Sequence, residues 1–290
     1  MKADFSRRRV LQGAAAGSTL LALPGWAADS ADSRFQRIER EHGITLGVFA
    51  LDTGSGRQLA YRADQRLPMC STFKVMLAGA VLQRSQTERE LLARVIRYPA
   101  SALVVYSPVT ERQVGQGMRV AELCAAALQY SDNTAANLLL ELLGGPAELT
   151  AFARRLGDPV FRLDRIEPDL NSALPDDPRD TSSAQAMALS LQRLALGDAL
   201  DHAGRGQLQT WLKGNTTGAK RIRAGVPAGW TVGDKTGSGD YGVANDVALL
   251  WPAGRAPWVL AVLSRSAEAK AAWRDAALAE ATRVVVSALG

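Results

Sequence analysis

The arrangement that most constrains the fold of this chain is that its β-prone segments lie at the two ends, with helical periodicity between them. Residues 44–51 and 58–61 are short apolar runs joined by Asp52-Thr53-Gly54-Ser55-Gly56, a glycine-rich stretch suited to a hairpin turn. Towards the other end, residues 229–236, 243–251 and 258–264 are again β-rich, separated by Gly, Pro and Asp. From residue 71 to about 212 the spacing of apolar residues turns helical, most plainly over 72–83, 120–129 and 134–143. A helix over 29–42, ended by Gly43, precedes the first strand, and a helix over 267–289 follows the last. The expected fold class is α/β (α+β) with two lobes. An antiparallel sheet flanked by helices is drawn from about 28–67 and 213–290, and an all-helical lobe over about 68–212 is inserted between, leaving a cleft. Residues 157–181 form the one long irregular segment, and loops of that length in compact domains are usually functional or disordered.

The chain has 290 residues, 47% of them hydrophobic and 22% charged, enough for a sizeable core. Its first 27 residues read as an export signal. Ser6-Arg7-Arg8-Arg9-Val10-Leu11 precedes a weakly apolar Ala/Gly/Leu stretch and then Pro24-Gly25-Trp26-Ala27, a pattern of the twin-arginine type. A Sec signal or an uncleaved anchor is the alternative. A periplasmic or secreted protein is expected, with no stable membrane association after cleavage, since no later segment offers about 20 consecutive apolar residues.

Charge excludes one further class. Lys2, Arg7, Arg8 and Arg9 against Asp4 account for three of the five net positive charges, which leaves +2 for the remainder and no Lys/Arg run beyond residue 9. That is not the footprint of a nucleic-acid binder. His42, His202, Cys70 and Cys124 are too few and too scattered to form a zinc or iron–sulfur ligand set, so no metal or other cofactor is expected.

Three short motifs carry chemistry. Ser71 and Lys74 are three apart at the start of a helix introduced by Pro68, so hydroxyl and amine share a face. Burial would lower the amine's pKa enough to activate the hydroxyl; otherwise Ser71 is a cap and Lys74 a solvated side chain. Ser131-Asp132-Asn133 precedes a helical run. It is either a helix cap or a hydroxyl for proton relay (Ser131) beside an amide for a substrate carbonyl (Asn133). Lys235-Thr236-Gly237 ends a strand and runs into Ser238-Gly239, either an ordinary junction or an open edge where an ammonium and a hydroxyl hold a carboxylate.

Together, in this order, S-x-x-K, S-D-N and K-T-G resemble the serine penicillin-recognising enzymes. Arg165-Ile166-Glu167-Pro168-Asp169-Leu170-Asn171 looks like the segment that supplies the deacylating base in class A β-lactamases, so the sequence resembles that class over nearly all of the mature chain. The resemblance implies Ser71 as nucleophile, Lys74 and Ser131 in proton transfer, and Glu167 as general base with Asn171 orienting the hydrolytic water. It implies substrate contacts from Asn133, Lys235, Thr236, Gly237 and Ser238, and an oxyanion hole from the Ser71 and Ser238 N–H groups. By the same resemblance Tyr106 lies at the cleft mouth and Arg221 is an extra cationic contact, unless it is a solvated surface arginine. Arg165 and Asp180 would clasp the long loop, with Asp176 and Asp177 as rival partners. The expected substrates are penicillins and cephalosporins, and the protein is expected to act as a monomer. A D,D-peptidase, or a sensor that stays acylated, is the alternative.

Cys70 before the nucleophile and Ser238 after K-T-G are similar to the carbapenem-hydrolysing subgroup, which leaves carbapenem hydrolysis open. The partner cysteine of that subgroup is replaced by Gly239. The commoner family disulfide is also missing one half, because Ala78 stands opposite Cys124. Two free thiols are therefore expected. A thiolate nucleophile at Cys70 lacks any Cys–His pattern to support it.

Overall fold

The computed structural model describes Met1 and residues 30–290; the expected leader lies outside the described residues. Ser30 accepts a hydrogen bond from Ser33 N and caps α1 (Ala31–His42), which stops at Gly43 in the left-handed conformation, φ 63°. Hairpin strands β1 (Ile44–Asp52) and β2 (Gln58–Tyr61) follow. The helical section comprises α2 (Lys74–Ser85), α3 (Val120–Gln129), α4 (Asn133–Leu143), α5 (Pro146–Arg155), α6 (Ala184–Ala195) and α7 (His202–Lys213). The chain then returns to the sheet through β3 (Thr231–Ser238), β4 (Ala244–Trp251) and β5 (Trp258–Ser266), and ends in α8 (Asp275–Leu289).

The sheet is antiparallel in the order β2-β1-β5-β4-β3, so strands from the two chain ends meet at the β1–β5 pairing, with Val48 opposite Val262. Both faces are covered, which is why these strands read as near-continuous apolar runs rather than strict alternations. Val48, Ala50, Leu260 and Val262 pack with Phe35 of α1 and Val284 of α8 on one face. Phe49, Leu51, Val259 and Ala261 pack with Met187 and Leu191 of α6 on the other. β3 is left as an edge strand.

Three expectations about elements need correction. The terminal helix begins at Asp275, not 267. Residues 267–274 form a loop laced to the β3–β4 connection, Tyr241 N donating to Ala269 O and Ser266 N to Tyr241 O, so tertiary pairing overrides the helix propensity of Ala-Glu-Ala-Lys-Ala-Ala. Ser71 lies on a 3₁₀ turn, Cys70–Phe73, and the α-helix starts only at Lys74. Residues 157–181 are also not the only long irregular segment. Residues 86–119 contain turns and one short pairing, Val95–Ile96 with Met118–Arg119. Gly117 there is left-handed at φ 83°, and a Cβ on it would meet Ile96 O at 2.5 Å.

Candidate active site

A cleft of about 760 Å³ opens between the edge strand and the helical section. Ser71, Ser131, Asn133, Asn171, Thr236, Ser238, Arg221 and Tyr106 line it, and Lys74, Glu167, Lys235 and Gly237 are buried against them. The structure thus brings together all twelve residues singled out in the sequence.

Ser71 is held from below. Asn245 on β4 donates through Nδ2 to Pro68 O (2.7 Å) and Met69 O (3.0 Å), and its Oδ1 accepts from Ser264 N (3.0 Å). Cys70 takes φ 46°, uncommon for a residue with a Cβ, and this turns the chain sharply just before Ser71. α2 is buried on nearly all sides through its first two turns, as expected of a helix apolar all round, so Lys74 at its start is completely dry. Its ammonium reaches Ser71 Oγ (2.9 Å), Ser131 O (2.8 Å), Asn133 Oδ1 (2.7 Å) and Glu167 Oε1 (2.9 Å). Burial pulls the lysine below its ordinary pKa, while the Glu167 carboxylate pushes it back up.

Glu167 accepts from the Ser71 hydroxyl at Oε1 (3.0 Å) and from Asn171 Nδ2 at Oε2 (2.5 Å). Its backbone is gripped on both sides by Asn137 of α4, whose Oδ1 accepts from Glu167 N (2.9 Å) and whose Nδ2 donates to Glu167 O (2.8 Å). The loop is closed by Arg165 Nε to Asp180 Oδ2 (2.6 Å), while Asp180 Oδ1 accepts from the N–H groups of Asp164 and Arg165. The rival Asp177 is engaged instead by Arg179.

Asp132 is the cap of α4, accepting from Ala135 N (2.8 Å) and anchoring Thr110, and this frees its two neighbours to face the cleft. Ser131 is left-handed at φ 59° and receives Lys235 Nζ at 3.0 Å. Lys235 also donates to Thr236 O (2.6 Å). Burial, then the nearby positive charge of Lys74, holds Lys235 well below the ordinary lysine pKa. Tyr106, left-handed at φ 63°, is fixed by Asn133 N donating to its carbonyl (3.0 Å).

Arg221 is not a solvated surface arginine. It is 5% exposed and fully engaged, donating to Gly237 O (2.7 Å), Asn245 O (2.8 Å), Ser238 Oγ (2.7 Å) and Asp275 Oδ1 (2.8 Å). Gly237 is required by close approach, since a Cβ there would meet Met69 O at 2.6 Å. Cys70 and Cys124 are free and buried. Burial, reinforced by the Glu167 charge, pushes the Cys70 thiol up, which disfavours a thiolate beside Ser71.

Several site residues escaped the sequence. Asn137 follows Asn133 by four, the spacing that puts both on one helix face, and that signal was available. Asn245, Thr217, Asp275 and Trp273 come from separate segments and gave no local signal. Thr217 Oγ1 pairs with Thr236 Oγ1 (2.5 Å), and Trp273 lines the cleft from the loop expected to be helix.

A two-lobed fold with a cleft in which this serine lies between two buried lysines and a buried carboxylate has the arrangement of a serine hydrolase. The chain belongs to the β-lactamase enzyme family, whose family model matches residues 30–289. Within it the chain is a class A serine β-lactamase, a hydrolase of β-lactams associated with antibiotic resistance. The carbapenem-hydrolysing β-lactamase KPC of Klebsiella oxytoca is 54% identical over 276 residues, 95% of this chain and 93% of that protein. β-Lactamase AST-1 of Nocardia asteroides is 57% identical over 260 residues, 90% of this chain and 84% of that one. The crystal structure of a β-lactamase from Desulfarculus baarsii superimposes with a TM-score of 0.89 at 57% identity, covering 90% of this chain and 97% of that one.

Proposed function

We propose that the protein is exported and hydrolyses penicillins and cephalosporins through an acyl-enzyme on Ser71 that is released by water activated at Glu167. The observation that carries this reading is the convergence on one hydroxyl of Lys74 Nζ at 2.9 Å and Glu167 Oε1 at 3.0 Å, with Asn171 on the other carboxylate oxygen. Ser71 Oγ attacks the lactam carbonyl carbon, and its proton passes to one of these two bases. The N–H groups of Ser71 and Ser238 receive the oxyanion, an interaction typically worth about 2.7–4 kcal/mol per donor. Collapse breaks the C–N bond, and the ring nitrogen takes a proton from Ser131 Oγ, which Lys235 supports. Lys235, Thr236 and Arg221 favour the substrate carboxylate, and Asn133 the side-chain amide. The proton taken from Ser71 replaces the one Ser131 has lost. Water then adds to the ester carbonyl as Glu167 takes its proton; the ester C–O bond breaks, and Ser71 Oγ recovers that proton from Glu167, its 3.0 Å partner, and leaves as the alcohol.

The arginine pattern Arg7-Arg8-Arg9 supports export to the periplasm or medium. The monomeric state of the mature chain is part of the same proposal. No helix among the described residues is long and apolar enough to cross a membrane. The likeness to a carbapenem-hydrolysing relative and the pair Cys70–Ser238 support including a carbapenem among the assayed substrates. The test is steady-state hydrolysis by the chain from residue 28, followed by intact-mass analysis. Rapid turnover with an unmodified final mass upholds the reading. Slow turnover with a stable adduct on the Ser71 peptide overturns it in favour of a peptidase or sensor. Glu167→Ala should accumulate the adduct and Ser71→Ala should form none.

A further inference from the structure

Apart from the terminal Met1, the large apolar side chains more than half exposed among the described residues are Val105 (70%), Tyr106 (57%) and Trp273 (57%). All three line the cleft, Val105 and Tyr106 from the connection before α3 and Trp273 from the loop before α8. Apolar surface concentrated at the mouth of a polar cleft marks a place that something covers. Trp273 is exposed but not loose. Its Nε1–H donates to Gly239 O (3.0 Å), and its loop is tied to the β3–β4 connection by Tyr241 N to Ala269 O (3.0 Å). Gly242, left-handed at φ 58°, lets the two segments touch, since a Cβ on it would meet Ala271 Cβ at 3.0 Å and Ala272 O at 3.1 Å. The indole is therefore held in place before any ligand arrives, which lowers the ordering cost of binding.

We propose that Trp273 is a specificity-determining residue: its indole forms the wall against which a planar aromatic group on the acylamino arm of a β-lactam packs. The inference rests on the proposed acylation of Ser71. With the substrate carboxylate at Lys235 and Thr236 and the reacting carbonyl at Ser238, the direction of β3 leaves Gly239 and Asp240 for the arm on the far side. Gly239 is the residue whose carbonyl Trp273 holds. Asp240 also lines the cleft beside it. An arm with an aromatic ring covers the indole, whereas a substrate with a free amine in place of the arm cannot reach it.

The experiment compares benzylpenicillin with 6-aminopenicillanic acid, which lacks the arylacetyl arm, on wild type, Trp273→Ala and Trp273→Phe. For Trp273→Ala, kcat/KM on benzylpenicillin should fall by about three- to tenfold, the size of one aromatic packing interaction, mainly through KM. Its kinetics on 6-aminopenicillanic acid should stay within about twofold, the sign of an intact site. Trp273→Phe keeps a ring but not the N–H and should recover most of the loss. Equal effects on the two substrates, or no effect on either, overturn the assignment of Trp273. Failure of the wild type to hydrolyse either compound would instead overturn the underlying reading of Ser71, and this inference with it.

Discussion

Lys74 Nζ and Glu167 Oε1 are 2.9 Å apart with both side chains fully buried, so the two groups bonded to the Ser71 hydroxyl form an ion pair with each other. Glu167 supports the charged form of Lys74 against the burial that disfavours it. Glu167→Gln should therefore drop the Lys74 pKa further and make the neutral amine available at lower pH. The rising limb of the acylation burst should move to lower pH in Glu167→Gln, while the acyl-enzyme persists. Stopped-flow burst rates from pH 5 to 9 read this directly, and an unmoved limb would mean that Lys74 does not take the proton in the variant.

Gly237→Ala places a methyl 2.6 Å from Met69 O and 3.1 Å from Thr72 N, both backbone atoms of the turn that carries Ser71. Since neither can swing aside, the strand must shift. Overpacking of this kind costs about 1–3 kcal/mol, and about 2–4 °C of Tm per kcal/mol for a domain of this size. The displaced Ser238 N–H should also cost about 100-fold or more in kcat. Thermal melts and steady-state rates together check it.

Asn245→Ala removes the amide that joins β4 to the turn before Ser71, leaving Pro68 O, Met69 O and Ser264 N without it. An unpaired buried polar group costs about 1–3 kcal/mol. A marked loss in denaturant midpoint is expected, together with a fall in kcat larger than any rise in KM, because the turn carrying Ser71, the proposed nucleophile, rather than the binding surface loses its support.

Asp246 lies buried behind Lys-Thr-Gly, with Oδ2 accepting from Ile222 N (3.1 Å) and Oδ1 left without a partner among the described residues. Burial, then the neighbouring Asp234 carboxylate, raises its pKa well above the ordinary 3.8. A carboxyl raised on folding keeps its proton where the unfolded chain has released it. Its contribution is thus whole below about pH 3.8 and is lost as pH rises towards the folded value. Asp246→Asn carries no such dependence and can still accept from Ile222 and donate towards Asp234. Its stability relative to wild type should grow with pH above 4, by at most about 1.4 kcal/mol per pH unit. A difference flat from pH 4 to 7 in chemical denaturation would contradict the raised pKa.

Much of the site was legible because its motifs are local. Ser71 and Lys74 share a turn, Asp132 caps the helix that Asn133 begins, and Lys235 and Thr236 end an apolar strand. Arg221 was ambiguous because nothing in Lys220-Arg221-Ile222-Arg223 tells of its burial. Its partners Gly237, Asn245 and Asp275 come from three other segments.

The sequence by itself determined the strands at both ends, the helical insertion and the places of the three motifs at helix start, helix cap and strand end, since β-branched runs, caps and i,i+3 spacing act between near neighbours. Only the tertiary structure decided that Asp180 rather than Asp177 closes the loop on Arg165, and that Glu167 reaches Ser71 across 96 residues. It also decided that residues 267–274 leave helix for a loop carrying Trp273 to the cleft. These outcomes depend on which surfaces are pressed together and dried by long-range packing, and there the energy of a backbone pairing or a buried charge exceeds any local preference.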